Sequence, residues 1–321
     1  MKTQFYTQTF SKSLQVAALI ILSFSTAISN ISAQSNINQL DSSLNTNESP
    51  YQLTIYVVPS TEWLGWNSPL ALMKNTAWNK IFPVFPKKKK RAIGHVFVEL
   101  TDGNYRFFGG MTTQGGNHQM NKVMKEGYNL GILFAEFPGA LDCPKKLQIE
   151  LDKRCEDGEI AFMTFKLHKD NFERLKEYVE QYKQREYHLI YNGKNQPRRG
   201  QGAGCSAFGI SFLEVAGLLQ ADWKEEWTMA VRVPAHLVGG PSTGQKVPVL
   251  SMLFANRWAN EDEPHLVLEL YEPYLIHEWI VNQTKQTNKP SNMKTSMNEK
   301  ALGLSFDYTQ VLPPSEPIFL D

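Results

Sequence analysis

Gly200-Gln201-Gly202-Ala203-Gly204-Cys205 runs straight into an apolar segment, and few architectures can host that succession. Glycine at alternate positions permits sharp turns and close backbone approach. From Ser206 to Leu219 apolar residues surround the helical wheel almost completely, which predicts a helix buried at the centre of a domain. Cys205 falls in its first turn. Unpaired N–H groups and the helix dipole favour an anion there, and a thiolate is an anion. The same N–H groups, with Gly204 and Ser206 beside the sulfur, are expected to hold an oxyanion as it forms. A buried structural cysteine is the alternative reading; the glycine run and the cysteine count favour a nucleophile.

That count depends on compartment. Lys2 and Lys12 precede an apolar run from Val16 to Phe24, followed by small residues with Ala27 and Ala33 as candidate cleavage sites. This predicts a signal peptide over residues 1–33 and a periplasmic or secreted protein, with no integral membrane segment after its removal. Export places thiols in an oxidising environment. With three cysteines, one lacks an internal partner. Cys143 and Cys155 lie close together in polar surroundings and are expected to pair as a disulfide, leaving Cys205 free. No spacing suits a zinc site, and no cofactor is expected. The net charge of +1 argues against a dedicated nucleic-acid binder.

The polar stretch 34–50 is expected to be a flexible linker. Residues 51–58 have strand propensity and end at Pro59. Trp63, Trp66 and Trp78 follow among prolines, and Lys87–Arg91 is a run of five cations. Residues 93–110 predict a hairpin: two β-rich runs flank Asp102-Gly103, a strong turn signal. A two-residue turn sets Leu100 opposite Tyr105, Glu99 opposite Arg106 and His95 opposite Gly110, with the imidazole at the open end. Residues 111–142 are expected to be irregular. A strand over 159–167 precedes a helix from about Lys169 to Gln184, with Phe172, Leu175, Tyr178, Val179 and Tyr182 on one face and His168 as its cap. Met229–Val233 predicts a strand stopped by Pro234. Residues 282–300 are polar and expected to be mobile.

A thiol wants a histidine to take its proton. Of seven histidines, His95 stands at the mouth of the hairpin beside small residues; His118 and His188 are rivals. Arg198 and Arg199 are expected to lower the Cys205 pKa or to hold a substrate carboxylate; solvated loop charges are the alternative.

A histidine opening a strand, a hairpin ending Phe-Phe-Gly-Gly, a strand–helix unit and then a cysteine at a helix start resemble the circularly permuted papain-like thiol hydrolases, relatives of the NlpC-type cell-wall peptidases. Lecithin retinol acyltransferase-like proteins share that plan. Tyr187-His188-Leu189 ahead of Gly204-Cys205-Ser206-Ala207-Phe208 is similar to the tyrosine and the Asn-Cys-x-x-Phe segment of such families, with Gly204 in place of the asparagine. The resemblance covers roughly residues 51–240 and leaves 241–321 as a C-terminal extension. It implies an α+β fold, an antiparallel sheet packed on a central helix with the cysteine at its N-terminus. Cys205 is then the nucleophile and His95 the base. The third residue, which orients the imidazole, has no clear candidate on the hairpin; Gln114 and His118 follow it and are the candidates, and Arg199 joins Gly204 and Ser206 as a possible substrate contact. The expected function is an exported cysteine hydrolase cleaving amide bonds, cell-wall peptides among them. Alternatives are a lipid acyltransferase with the same chemistry and a non-catalytic binding module on the same fold.

Overall fold

Alternation along the strands builds the centre of the molecule, because successive side chains face opposite sides of a sheet. In β1 (Gln52–Val58), Leu53, Ile55 and Val57 enter one hydrophobic core while Tyr56 and Val58 enter another. In β2 (His95–Thr101), Val96, Val98 and Leu100 join the first core and Phe97 the second. A sheet apolar on both faces needs cover on both. The structure, a computed structural model, describes residues 50–60, 66–74, 94–114 and 118–320. The expected signal peptide, nearly all of the expected linker, Trp63, Trp78 and Lys87–Arg91 lie outside those residues.

The fold is mixed α+β. With β3 (Arg106–Gly109), β4 (Met111–Thr113), β5 (Phe137–Leu141), β6 (Ala161–Leu167), β7 (Ile190–Tyr191), β8 (Thr228–Pro234), β9 (His265–Tyr271), β10 (Met293–Asn298) and β11 (Ala301–Tyr308), the strands form three sheets among the described residues. The largest has the order β10-β11-β6-β1-β2-β3, antiparallel throughout except for the parallel β11–β6 pair. A small sheet orders β4-β5-β7, and β8 pairs with β9. The helices around these sheets include α1 (His118–Met124), α2 (Pro144–Asp157), α3 (Lys169–Gln184), α4 (Cys205–Val215), α5 (Ala221–Trp227) and α6 (Pro273–Lys285). Leu147, Leu151 and Cys155 of α2 cover one face of the large sheet; α3, α4, α5 and α6 supply the core on the other.

Helix α3 takes the expected span and buries the five expected residues, and the His168 ring caps it by accepting the Asp170 N–H at 3.1 Å. Helix α4 is buried nearly all round. It lies so close to β2 that a Cβ on Gly209 would sit 2.5 Å from a Val96 methyl. That contact fixes the helix along the strand that begins with His95.

The hairpin differs from expectation in its turn. Asp102 Oδ1 accepts the N–H groups of Asn104 at 2.9 Å and Tyr105 at 2.6 Å, which widens the connection to four residues. The register becomes Thr101↔Arg106, Leu100↔Phe107 and Glu99↔Phe108, so His95 does not lie opposite Gly110. The slip is two residues, which leaves every side chain on its expected face. Arg106 still reaches Glu99, diagonally, at 2.5 Å.

Residues 241–321 are more than an appendage. Strand β11 lies inside the large sheet between β10 and β6, and α6 contributes Ile276, Trp279 and Ile280 to its core. The segment 282–300, expected to be mobile, holds the end of α6 and all of β10. Its polar composition reflects the place of β10, an edge strand with one buried residue, Met293, in six. The expected Cys143–Cys155 bridge is absent. The two residues stand at the start and in the last turn of α2, twelve positions apart and thus roughly 18 Å by helical rise, far beyond disulfide reach.

Candidate active site

His95 opens β2 at the end of the large sheet, and three separate segments converge on it. The first is α4, which brings Cys205. The His95 ring hydrogen-bonds the Cys205 sulfur, and the Val96 backbone N–H and the Ser206 hydroxyl also stabilise its thiolate. The sulfur lies 4.0 Å from the Gly94 carbonyl oxygen. Burial is the largest single influence and pushes this thiol up, but the imidazole together with the Val96 N–H and the Ser206 hydroxyl holds the group below the usual thiol range. Cys205 is 7% exposed and His95 4%, so the pair is buried and not on an open surface.

The second segment brings the residue that orients the imidazole. Asp142 Oδ2 lies 2.8 Å from His95 Nε2. The β4–β5 pairing sets Met111 against Leu141, and the next residue, Asp142, donates its backbone N–H to the Gly110 carbonyl at 2.9 Å. Gly110 makes the approach possible: a Cβ there would stand 2.6 Å from the Val96 carbonyl oxygen and 3.0 Å from Asp142 Oδ2. With Nε2 directed at Asp142, Nδ1 is the ring nitrogen directed at sulfur. Gln114 and His118 do not fill the orienting role: both are exposed, and Asp142 occupies the position.

The third segment is β7 with the glycine run beside it. The Ala203 N–H donates to the Ile190 carbonyl at 3.3 Å, and the Asn192 side-chain amide donates to the Gln201 carbonyl. Gly200 and Gly202 adopt φ of +67° and +81°; at Gly202 a side chain would also collide with Ile190 and Asn192. This lacing brings the Tyr191 hydroxyl to the Cys205 sulfur and to the Cys205 backbone N–H. Burial first, and then the nearby thiolate, push the Tyr191 phenol far above its usual value, so it stays protonated as a donor. Tyr187, the tyrosine on which the family resemblance rests, packs edge-on against Tyr182 and Phe319.

Gly204 is the N-cap of α4, and the Ser206 hydroxyl lies 4.0 Å from the sulfur. The arginines divide differently. Arg198 is buried and bound to the C-terminal tail, donating to Ile318 O at 2.9 Å, Pro317 O at 2.6 Å and Glu316 Oε1 at 2.8 Å. Arg199 is exposed.

Sequence reasoning missed Asp142 and Tyr191. Asp142 carried one usable signal, an acidic residue two positions before the proline that opens a helix; Tyr191 carried none beyond its nearness to the glycine run. Among the described residues no cluster of three or more His, Cys, Asp or Glu is placed to hold a metal, and no helix is long and apolar enough to cross a membrane. No family model, no curated protein and no solved structure matches the chain. The site is therefore read from its geometry alone.

Proposed function

We propose that this chain is an exported cysteine hydrolase of permuted papain-like fold that cleaves amide bonds through a thioester. One observation carries the reading: Cys205, His95 and Asp142, which lie far apart in the sequence, form a contiguous thiol–imidazole–carboxylate chain at a helix N-terminus. A structural cysteine needs neither the imidazole nor the carboxylate behind it.

The proposed steps follow from these contacts. His95 Nδ1 takes the Cys205 proton, and Asp142 holds the ring and stabilises the imidazolium. The thiolate adds to the amide carbonyl. The Tyr191 hydroxyl and the N–H groups of the first turn of α4 are the donors assigned to the oxyanion. Collapse breaks the C–N bond while Nδ1–H protonates the departing amine. Water, deprotonated by the same nitrogen, then cleaves the thioester, and the sulfur recovers its proton.

The test is alkylation of the folded protein across pH, with the adduct mapped by mass spectrometry, followed by incubation with peptide substrates such as cell-wall muropeptides. The reading predicts rapid Cys205 modification near neutral pH by a small reagent such as iodoacetamide, and loss of any hydrolysis on modification. Labelling of Cys205 only after unfolding would overturn it.

A further inference from the structure

The 3-10 turn Val249–Phe254 is built in reverse of a normal surface turn. Met252 points inward, to a satellite core with Leu72, Leu237 and Val238. Leu250, Leu253 and Phe254 point outward and are 53%, 48% and 85% exposed. Three large apolar chains exposed within five residues form a patch that needs a reason. The neighbouring chain extends it. Val247 N–H donates to Gly127 O at 2.7 Å, and the Asn129 amide donates to Pro248 O at 3.0 Å, so the end of α1 lies alongside. Met124, at that end, is itself 42% exposed.

Two cations stand at the border. Lys125 and Lys246 are exposed on the two adjoining segments. The nearby acid Glu126 pairs with Lys122 at 3.8 Å, and Arg257 beyond the turn is taken up by Glu263. We propose that the turn 249–254 is an interfacial anchor that inserts Leu250, Leu253 and Phe254 among the acyl chains of an anionic lipid surface, with Lys125 and Lys246 at the headgroups. Apolar insertion and cationic attraction are the two contributions that reversible membrane binding combines. A protein partner fits less well, because lysine is depleted in protein interfaces relative to the rest of the surface. The inference does not depend on the thiol chemistry.

The test is co-sedimentation of the full chain with phosphatidylcholine vesicles and with vesicles also containing phosphatidylglycerol, at low and high salt. The chain should partition to the anionic vesicles and less so as salt rises. The double variant Leu253→Ser/Phe254→Ser should lower partition by roughly tenfold or more, and Lys125→Glu/Lys246→Glu should abolish the preference for the anionic lipid. All four side chains are exposed, so the variants should keep the wild-type circular dichroism. No binding to either vesicle, or binding that the Ser/Ser variant leaves intact, overturns the proposal. So does concentration-dependent self-association in light scattering that the same variant removes, which would assign the patch to a second copy.

Discussion

Cys155 and Cys205 are both buried thiols on helices, 2% and 7% exposed, and their chemistry is opposite. Cys155 sits in the last turn of α2, where its carbonyl accepts the N–H groups of Gly158 and Lys300. Burial, with Asp152 and Glu299 adding negative charge, pushes its thiol up to about 11. Cys205 sits in the first turn of α4 beside an imidazole, and its thiol is held below the usual range. One residue is at the end of a helix that repels a thiolate and the other at the end that attracts one. Burial is thus common to both; what distinguishes them is the group placed against the sulfur. A reactive cysteine is defined here by its neighbours.

The largest expected effect tests that contrast directly. In the folded protein iodoacetamide should modify Cys205 faster than Cys155 by roughly a thousandfold near neutral pH, because the nucleophile is the thiolate and Cys155 stays protonated there. Cys205→Ala should abolish any hydrolysis, and Cys155→Ala should leave Cys205 labelling unchanged. Comparable labelling of the two sulfurs would break the comparison. His95→Ala should slow Cys205 labelling by about a hundredfold and move its pH profile upward, since burial is then opposed only by the Val96 N–H and the Ser206 hydroxyl.

A smaller effect concerns how the imidazole is held. Asp142→Ala leaves both ring nitrogens in place but releases the ring, and labelling should fall by roughly ten- to a hundredfold. Gly110→Ala should resemble it from one step away. Its methyl would meet the Val96 carbonyl and the Asp142 carboxylate, so slower labelling should accompany a loss of about 1–3 kcal/mol in stability. Labelling at the wild-type rate in both variants would show that the carboxylate does not position His95.

These two residues also mark where the sequence stops being informative. Cys205 at a helix start, His95 at a strand start and the full length of α3 are consequences of local patterns, and the chain displays them. The hairpin slip is a turn effect: Asp-Gly predicts two residues, but the Asp102 carboxylate binding two backbone N–H groups selects four. Asp142 is not legible because it depends on the pairing of β4 with β5 across a stretch with no clear alternation, and on the absence of a side chain at Gly110. The place of β11 in the sheet is not legible either, since it pairs in parallel with β6 more than a hundred residues earlier.

A third buried acid extends the rule with which the two thiols began. Glu272 is 3% exposed, caps α6 by accepting the Tyr274 N–H at 3.1 Å, and precedes the proline packed on Gly94 beside the site. Burial dominates and raises its carboxyl from the usual 4.5 to about 7. Between those values the folded chain holds a proton that the unfolded chain has released. Stability from this group is therefore complete below about pH 4.5 and is lost as pH rises through about 7, a change of about 3 kcal/mol. Glu272→Gln keeps an acceptor for the Tyr274 N–H and removes the titration. Urea midpoints measured across that window should fall with pH in the wild type, relative to a flatter Glu272→Gln curve. Parallel curves for the two proteins would mean that an unseen donor or cation compensates the buried carboxylate, and Cys155 would then have to be re-examined by the same titration.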